Sequence, residues 1–107
     1  MSHDALNRLA AIVADRKTAS PEESWTARLL SQGPEKCAEK FGEEAVEAVI
    51  EAVRGDRQRL VAEAADVIYH LLVMCASRDV TLEDIRAELE DRGGLSGLDE
   101  KASRSSE

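Results

Sequence analysis

Aromatic side chains are almost missing from this sequence: one Trp, one Tyr and one Phe stand among 107 residues. There is accordingly little with which to stack the bases of a nucleic acid. Positive charge is also scarce. Lysine and arginine number 14 against 22 acids, a formal net charge of -8, which argues against a binder of nucleic acid or of a membrane surface, since both meet phosphate with a basic face. An anionic small molecule stays open as a substrate provided metal ions screen it. No apolar run approaches the roughly 20 residues that cross a bilayer, and the opening "MSHDALNRLA" lacks the basic-then-apolar pattern of a signal segment. The expectation is a soluble cytoplasmic protein. Cys37 and Cys75, the two cysteines, have no metal-type spacing and fall inside helical patterns. They read as small packing residues, with no disulfide in the cytosol.

What is present is helical periodicity. A chain of this length makes one domain with a modest core, which leaves room for oligomerisation. A first helix over about 4–17 places Leu6, Leu9, Ala10 and Val13 on one stripe. "SPEE" offers Ser20 as a cap, Pro21 at the first helical position and Glu23 as the returning carboxylate of a capping box, so a short helix is expected from there through "SWTARLL". Gly33 stops it and Pro34 opens a longer helix to about Val53. "RGDRQ" at 54–58 is short enough that the next helix, about 59–77, must return antiparallel. Thr81 and Asp84 of "TLED" open a last helix ending at Gly93 and Gly94. No stretch alternates as a strand does. The fold class is therefore all-α, an antiparallel helical hairpin with flanking helices forming a bundle completed by dimerisation. Residues 1–94 form the domain, and 95–107 are expected to be a mobile C-terminal tail.

The acids are not scattered. At about 100° per residue, Lys36, Lys40, Glu44, Glu47 and Glu51 share an arc of roughly 80° on the helix that Pro34 opens, two lysines followed by three glutamates. Glu63, Asp66 and His70 share about 60° on the returning helix, which is apolar nearly all round otherwise, as a buried helix is. Residues 47 and 63, and likewise 44 and 66, are equidistant from Gly55, so Glu47 should face Glu63 and Glu44 should face Asp66. Lys40 then lies level with His70, further from the connection. Carboxylates converging between two helices either take up protons or hold a cation. Hard oxygen donors without Cys or a Glu-x-x-His pair suit magnesium, with manganese as a substitute, and disfavour zinc or a di-iron centre. Magnesium beside lysines suggests a di- or triphosphate substrate.

Plainer readings apply to the single residues. Lys36 and Lys40 could simply pair with glutamates one turn on. Glu43, at the border of the face, could orient a water or pair with Lys40. Glu51, nearer the turn, is expected to be solvated or paired with Arg54 or Arg59. His70 reads first as a hydrogen-bonded core histidine, and Trp25 and Tyr69 as core or interface.

"EEAVE" at 43–47 followed by "EAAD" at 63–66 resembles the signature of the all-alpha, MazG-like nucleoside triphosphate pyrophosphohydrolases. Three further stretches narrow the resemblance to the phosphoribosyl-ATP pyrophosphatase family of histidine biosynthesis: "SWTARLLSQGPEKCAEKFGEE" at 24–44, "ADVIYHLLVM" at 65–74 and "GLSGLDEKASR" at 94–104. The likeness covers about residues 4–104. Trp25 stands where the family often has tyrosine, and Asp99 where glutamate is common. No cyclohydrolase-like second domain is seen, so the chain looks like the monofunctional form.

The resemblance implies magnesium-dependent cleavage of phosphoribosyl-ATP between its alpha and beta phosphates, giving phosphoribosyl-AMP and pyrophosphate. It implies Glu44, Glu47, Glu63 and Asp66 as metal ligands, and Glu43 or Glu47 as the group orienting the attacking water. It further implies Lys36, Lys40, Lys101 and Arg104 as phosphate contacts, with the tail closing over bound substrate, and a homodimer. Two rivals remain: a housecleaning hydrolase of (deoxy)nucleoside triphosphates with the same carboxylates, and a non-catalytic acidic helical module that recruits a basic partner.

Overall fold

The computed structural model describes residues 4–93, and every regular element among them is a helix. α1 (Ala5–Arg16), α2 (Trp25–Ser31), α3 (Pro34–Arg54), α4 (Arg57–Ala76) and α5 (Leu82–Asp91) follow one another in chain order. The all-α expectation holds. Local chemistry accounts for most of the boundaries. Asp4 caps α1 by accepting a hydrogen bond from the Leu6 amide, and Pro34 begins α3, where its missing N–H costs nothing. Thr81 and Asp84 form the reciprocal capping box at the head of α5, at 3.1 and 2.9 Å.

One boundary differs from the expectation. Residues 21–23 are a turn, not the first turn of a helix, and α2 begins only at Trp25. Ser20 closes that turn, its carbonyl accepting from the Glu23 amide at 3.0 Å and its hydroxyl from the Glu22 amide. Ser24, with an extended backbone at φ -145 and ψ 129, is the true cap and accepts from the Ala27 amide at 3.1 Å. Two serines compete for one helix start, and the one whose backbone is extended takes it.

The hairpin of α3 and α4 is the spine of the molecule. Only Gly55 and Asp56 separate the two helices, so the connection is tighter than the five residues expected. Gly55 adopts φ 79 with its amide on the Glu51 carbonyl at 3.0 Å, a left-handed stop that a side chain would strain. Asp56 immediately caps α4, accepting from the Arg59 amide at 3.0 Å. The two helices pack along much of their length.

The core lies at the end of the hairpin away from Gly55. There α1 contributes Val13, α2 Leu29, α3 Cys37, and α4 Leu72, Val73 and Ala76. Leu6, Leu9 and Ala10 pack against this cluster from α1, as their stripe requires. The Cys37 thiol donates to the Leu29 carbonyl at 3.3 Å. Both cysteines are free, and burial raises both thiols, which keeps them protonated and unreactive. α4 is not buried along its whole length, contrary to its all-round apolar sequence. Its buried residues begin at His70, while Val61 and Ile68 are exposed.

α5 buries none of its residues. Arg86 ties it to the start of α1, donating to Asn7 at 2.5 Å and lying 3.6 Å from Asp4. The preceding turn is held by Asp79, in the left-handed region at φ 59, whose carboxylate accepts from the Lys17 ammonium.

Candidate metal centre

Halfway along the hairpin, oxygens of Glu44 on α3 and of Glu63 and Asp66 on α4 all lie within 4.8 Å of one another. The helical repeat explains the meeting: Glu63 and Asp66 are one turn apart on one face, and the short connection at Gly55 sets Glu44 opposite them. Glu47 is the fourth member. Its carboxylate lies beside that of Glu63 and is the strongest of the negative charges acting on it. All four residues proposed from the sequence as ligands are thus brought together, three as a tight triad and Glu47 against Glu63.

Glu63 is the most constrained of the four. It is half-buried, and its Oε2 is shielded from solvent with no hydrogen-bond partner. Burial, then the negative charges of Glu47, Glu44 and Asp66, push its carboxyl above the ordinary range. No cationic side chain is paired with any of Glu44, Glu47, Glu63 or Asp66 within 4 Å among the described ion pairs. An acceptor-only group aimed into a cluster of acceptors is an arrangement that a divalent cation resolves and a proton resolves only in part. The donor set, carboxylate oxygens alone, fits a hard cation of the magnesium or manganese kind.

The lysines take the plainer of their two readings. Lys36 Nζ lies 3.3 Å from Glu39 and Lys40 Nζ lies 3.6 Å from Glu43. Glu43 thereby points along the surface of α3 to Lys40 instead of joining the triad. Both pairs are exposed, so screening and side-chain entropy leave them weak, and either lysine can exchange its glutamate for another anion at little cost. Lys101 and Arg104 lie outside the described residues.

Three side chains match their sequence readings only in part. Glu51 is 9% exposed, its Oε2 is 3.7 Å from Arg54 and its Oε1 is unpartnered. The pair with Arg54 is as expected and the burial is not. His70 is buried, but its Nδ1 has no partner, and its ring meets Tyr69 edge-on at 4.9 Å. Trp25 is not in the core: it is 54% exposed. A contact that sequence reasoning missed joins the same region, where the Thr26 and Tyr69 hydroxyls share a hydrogen bond of 2.5 Å. Nothing in the sequence pairs residues 43 positions apart on different helices.

With the geometry in place, comparison with known proteins becomes informative. The family model described as phosphoribosyl-ATP pyrophosphohydrolase matches residues 6–93. The chain belongs to that family. Among curated relatives named phosphoribosyl-ATP pyrophosphatase, the protein of Jannaschia sp. (strain CCS1) is 71% identical over 92% of this chain and 97% of its own length. That of Cereibacter sphaeroides (strain ATCC 17025 / ATH 2.4.3) is 72% identical over 92% and 96%. That of Paracoccus denitrificans (strain Pd 1222) is 69% identical over 92% of both. The resemblance read from "EEAVE", "EAAD" and the flanking stretches is confirmed at the level of the family. Among the described residues no helix is long and apolar enough to cross a membrane.

Proposed function

We propose that the carboxylate cluster at the middle of the α3–α4 hairpin is the catalytic centre of this phosphoribosyl-ATP pyrophosphohydrolase and that it works with magnesium. The activity comes with the family: hydrolysis of phosphoribosyl-ATP to phosphoribosyl-AMP and pyrophosphate, an early step of histidine biosynthesis. A housecleaning activity toward other triphosphates has no observation in its favour, and a non-catalytic module is set aside by membership in an enzyme family.

One observation carries the placement of the site. Glu44, Glu63 and Asp66 converge within 4.8 Å with a buried, unpartnered Glu63 oxygen between them. These three would hold the cation, with Glu47 completing the set from the α3 side. When bound, magnesium supplies the positive charge that neutralises phosphate oxygens and makes a nearby water acidic enough to attack. The protein's own contribution is position. α3 and α4 fix the four carboxylates from two rigid elements, so little reorganisation accompanies the reaction. Glu47 or Glu43 orients the attacking water by accepting its proton. Glu47 is the better placed, since Glu43 is turned to Lys40. Lys36 and Lys40 leave their glutamates to meet phosphate oxygens, and Lys101 and Arg104 of the tail at 95–107 do the same as it closes over substrate.

A homodimer belongs to the same reading. Val46, Val49, Ile50 and Val53 on α3, with Val61 on α4, leave apolar surface exposed toward the turn end of the hairpin. A face of this kind on so small a domain is the sort that a second hairpin covers to make a four-helix bundle. The cytoplasm is the compartment we assign, in keeping with two free thiols and a small-molecule biosynthetic substrate.

The test is pyrophosphate release from phosphoribosyl-ATP by the purified protein, with magnesium and with a chelator, beside deoxynucleoside triphosphates. Release that needs magnesium and prefers phosphoribosyl-ATP is expected. Equal turnover of the free triphosphates would move the substrate, and release that survives chelation would remove the metal.

A further inference from the structure

We propose that Trp25 is the surface on which the adenine ring of the substrate stacks, and so a residue that determines affinity for the nucleoside part. This rests on the pyrophosphohydrolase reading above and adds to it a contact for the base, for which that reading names none.

An aromatic face is the general means of holding a purine, and this chain has three aromatic side chains from which to choose. Tyr69 is half-buried, its hydroxyl engaged by Thr26 and its ring packed edge-on against His70. Phe41 is half-buried within α3. Trp25 alone presents an open ring, 54% exposed, although an indole gains more than most side chains by burial.

Placement agrees. Thr26 holds the first turn of α2 against Tyr69, which follows Asp66 by one turn on α4. Measured along the hairpin from Gly55, the order is therefore the acidic cluster, then Lys40 and Lys36 on α3, with the start of α2 alongside. A nucleotide whose phosphates lie on the acids and lysines extends its nucleoside toward Trp25.

The backbone beneath the indole is also fixed. Ser24 on one side accepts from the Ala27 amide at 3.1 Å, and Thr26 on the other is bonded to Tyr69 at 2.5 Å. A ring with two rotatable bonds, carried on a clamped backbone and left open to solvent, stacks on a ligand with little loss of freedom.

The experiment uses the fact that this is the single tryptophan, so the emission of the unmodified protein reports this ring alone. Titration with ATP and magnesium is expected to quench the emission and shield the ring from iodide. Tripolyphosphate with magnesium, which carries the charge but no base, is expected to leave emission almost unchanged. In parallel, Trp25→Ala is expected to raise KM for phosphoribosyl-ATP roughly tenfold with kcat held within about twofold, while Trp25→Phe recovers most of the loss, as a stacking contact of ordinary strength requires. Unchanged melting of both variants shows that they fold.

The proposal is overturned if ATP and tripolyphosphate quench alike, if KM is the same in Trp25→Ala, or if that variant changes the oligomeric state while its KM stays put, which would make Trp25 an interface residue. Wild-type pyrophosphate release in the same assay separates the two failures. Its absence sinks the functional reading, whereas its presence with an unaltered Trp25→Ala sinks only this one.

Discussion

At its end away from the turn, the α3–α4 hairpin buries Cys37, Leu72, Val73 and Ala76 against Val13 and Leu29, whereas toward the turn Val49, Val53 and Val61 stand in solvent, Val53 at 84% exposure. The residue types are much the same at the two ends. What differs is the supply of covering elements, since α1 and α2 reach only the first end and no other helix of the described chain covers the second. The acids sit between them, at the place where the packed end gives way to the open one. The same helix pair is thus a core element at one end and an uncovered apolar face at the other, with the carboxylates between them.

The difference between the ends predicts different outcomes for similar substitutions. Leu29→Ala empties a fully buried position and should cost about 2–5 kcal/mol, lowering the melting temperature by on the order of 10 °C or more. Urea denaturation of the two proteins measures it. A cost near zero would mean that the packed end is not the stabilising one. At the open end, Val49→Asp with Val53→Asp should leave the hairpin folded but weaken the proposed dimer at least tenfold, because on that proposal two charges would have to be desolvated at its interface. Sedimentation equilibrium decides the point: a monomeric wild type would remove the proposed dimer, and an unchanged association constant would remove this face from it.

The middle of the hairpin gives a pH signature. Glu63 has its pKa raised in the folded protein by burial and by Glu47, Glu44 and Asp66. Between its ordinary value and the raised one the folded state binds more protons than the unfolded, so its contribution to stability falls as pH rises through that window. Metal-free wild type should therefore gain stability relative to Glu63→Gln as pH is lowered toward the ordinary carboxylate range, and magnesium should stabilise wild type more than Glu63→Gln at the upper end of that range. Parallel melting curves of the two proteins across that range would show that Glu63 is not under strain.

The smallest effect belongs to the turn that joins the packed end to α5. Asp79 occupies the left-handed region, where glycine is unstrained, yet holds Lys17. Asp79→Gly should melt close to wild type, relief of strain offsetting an exposed ion pair of modest worth. Asp79→Ala, which loses the pair and keeps the strain, should be the less stable of the two by thermal melting.

Much of this arrangement is legible in the residues. The facing of 44 and 66, and of 47 and 63, follows from helical repeat and one short turn, because so little chain separates the helices that register has almost no freedom. The caps at Thr81 and the stop at Gly55 follow from local chemistry in the same way. What was not legible depends on tertiary supply. Val61 and Ile68 look like core in sequence, and they are exposed because no helix of the described chain reaches them. Trp25 reads as core or interface; the core half fails, because it is the next residue, Thr26, that turns inward to Tyr69. Glu51, read as solvated or paired with Arg54 or Arg59, does pair with Arg54 but is also buried, an outcome set by packing near the turn that no spacing rule describes. The false start at "SPEE" is a local competition between Ser20 and Ser24, which backbone conformation decides.

The central claim, that four carboxylates on two helices form a cation cradle, is tested most directly by titrating manganese into the protein and following the free ion by electron paramagnetic resonance, for wild type and for Glu63→Gln with Asp66→Asn. Saturable binding by wild type, lost in the double variant and displaced by magnesium, is the result the structure predicts. Equal binding by the two proteins, or none by wild type, would contradict it.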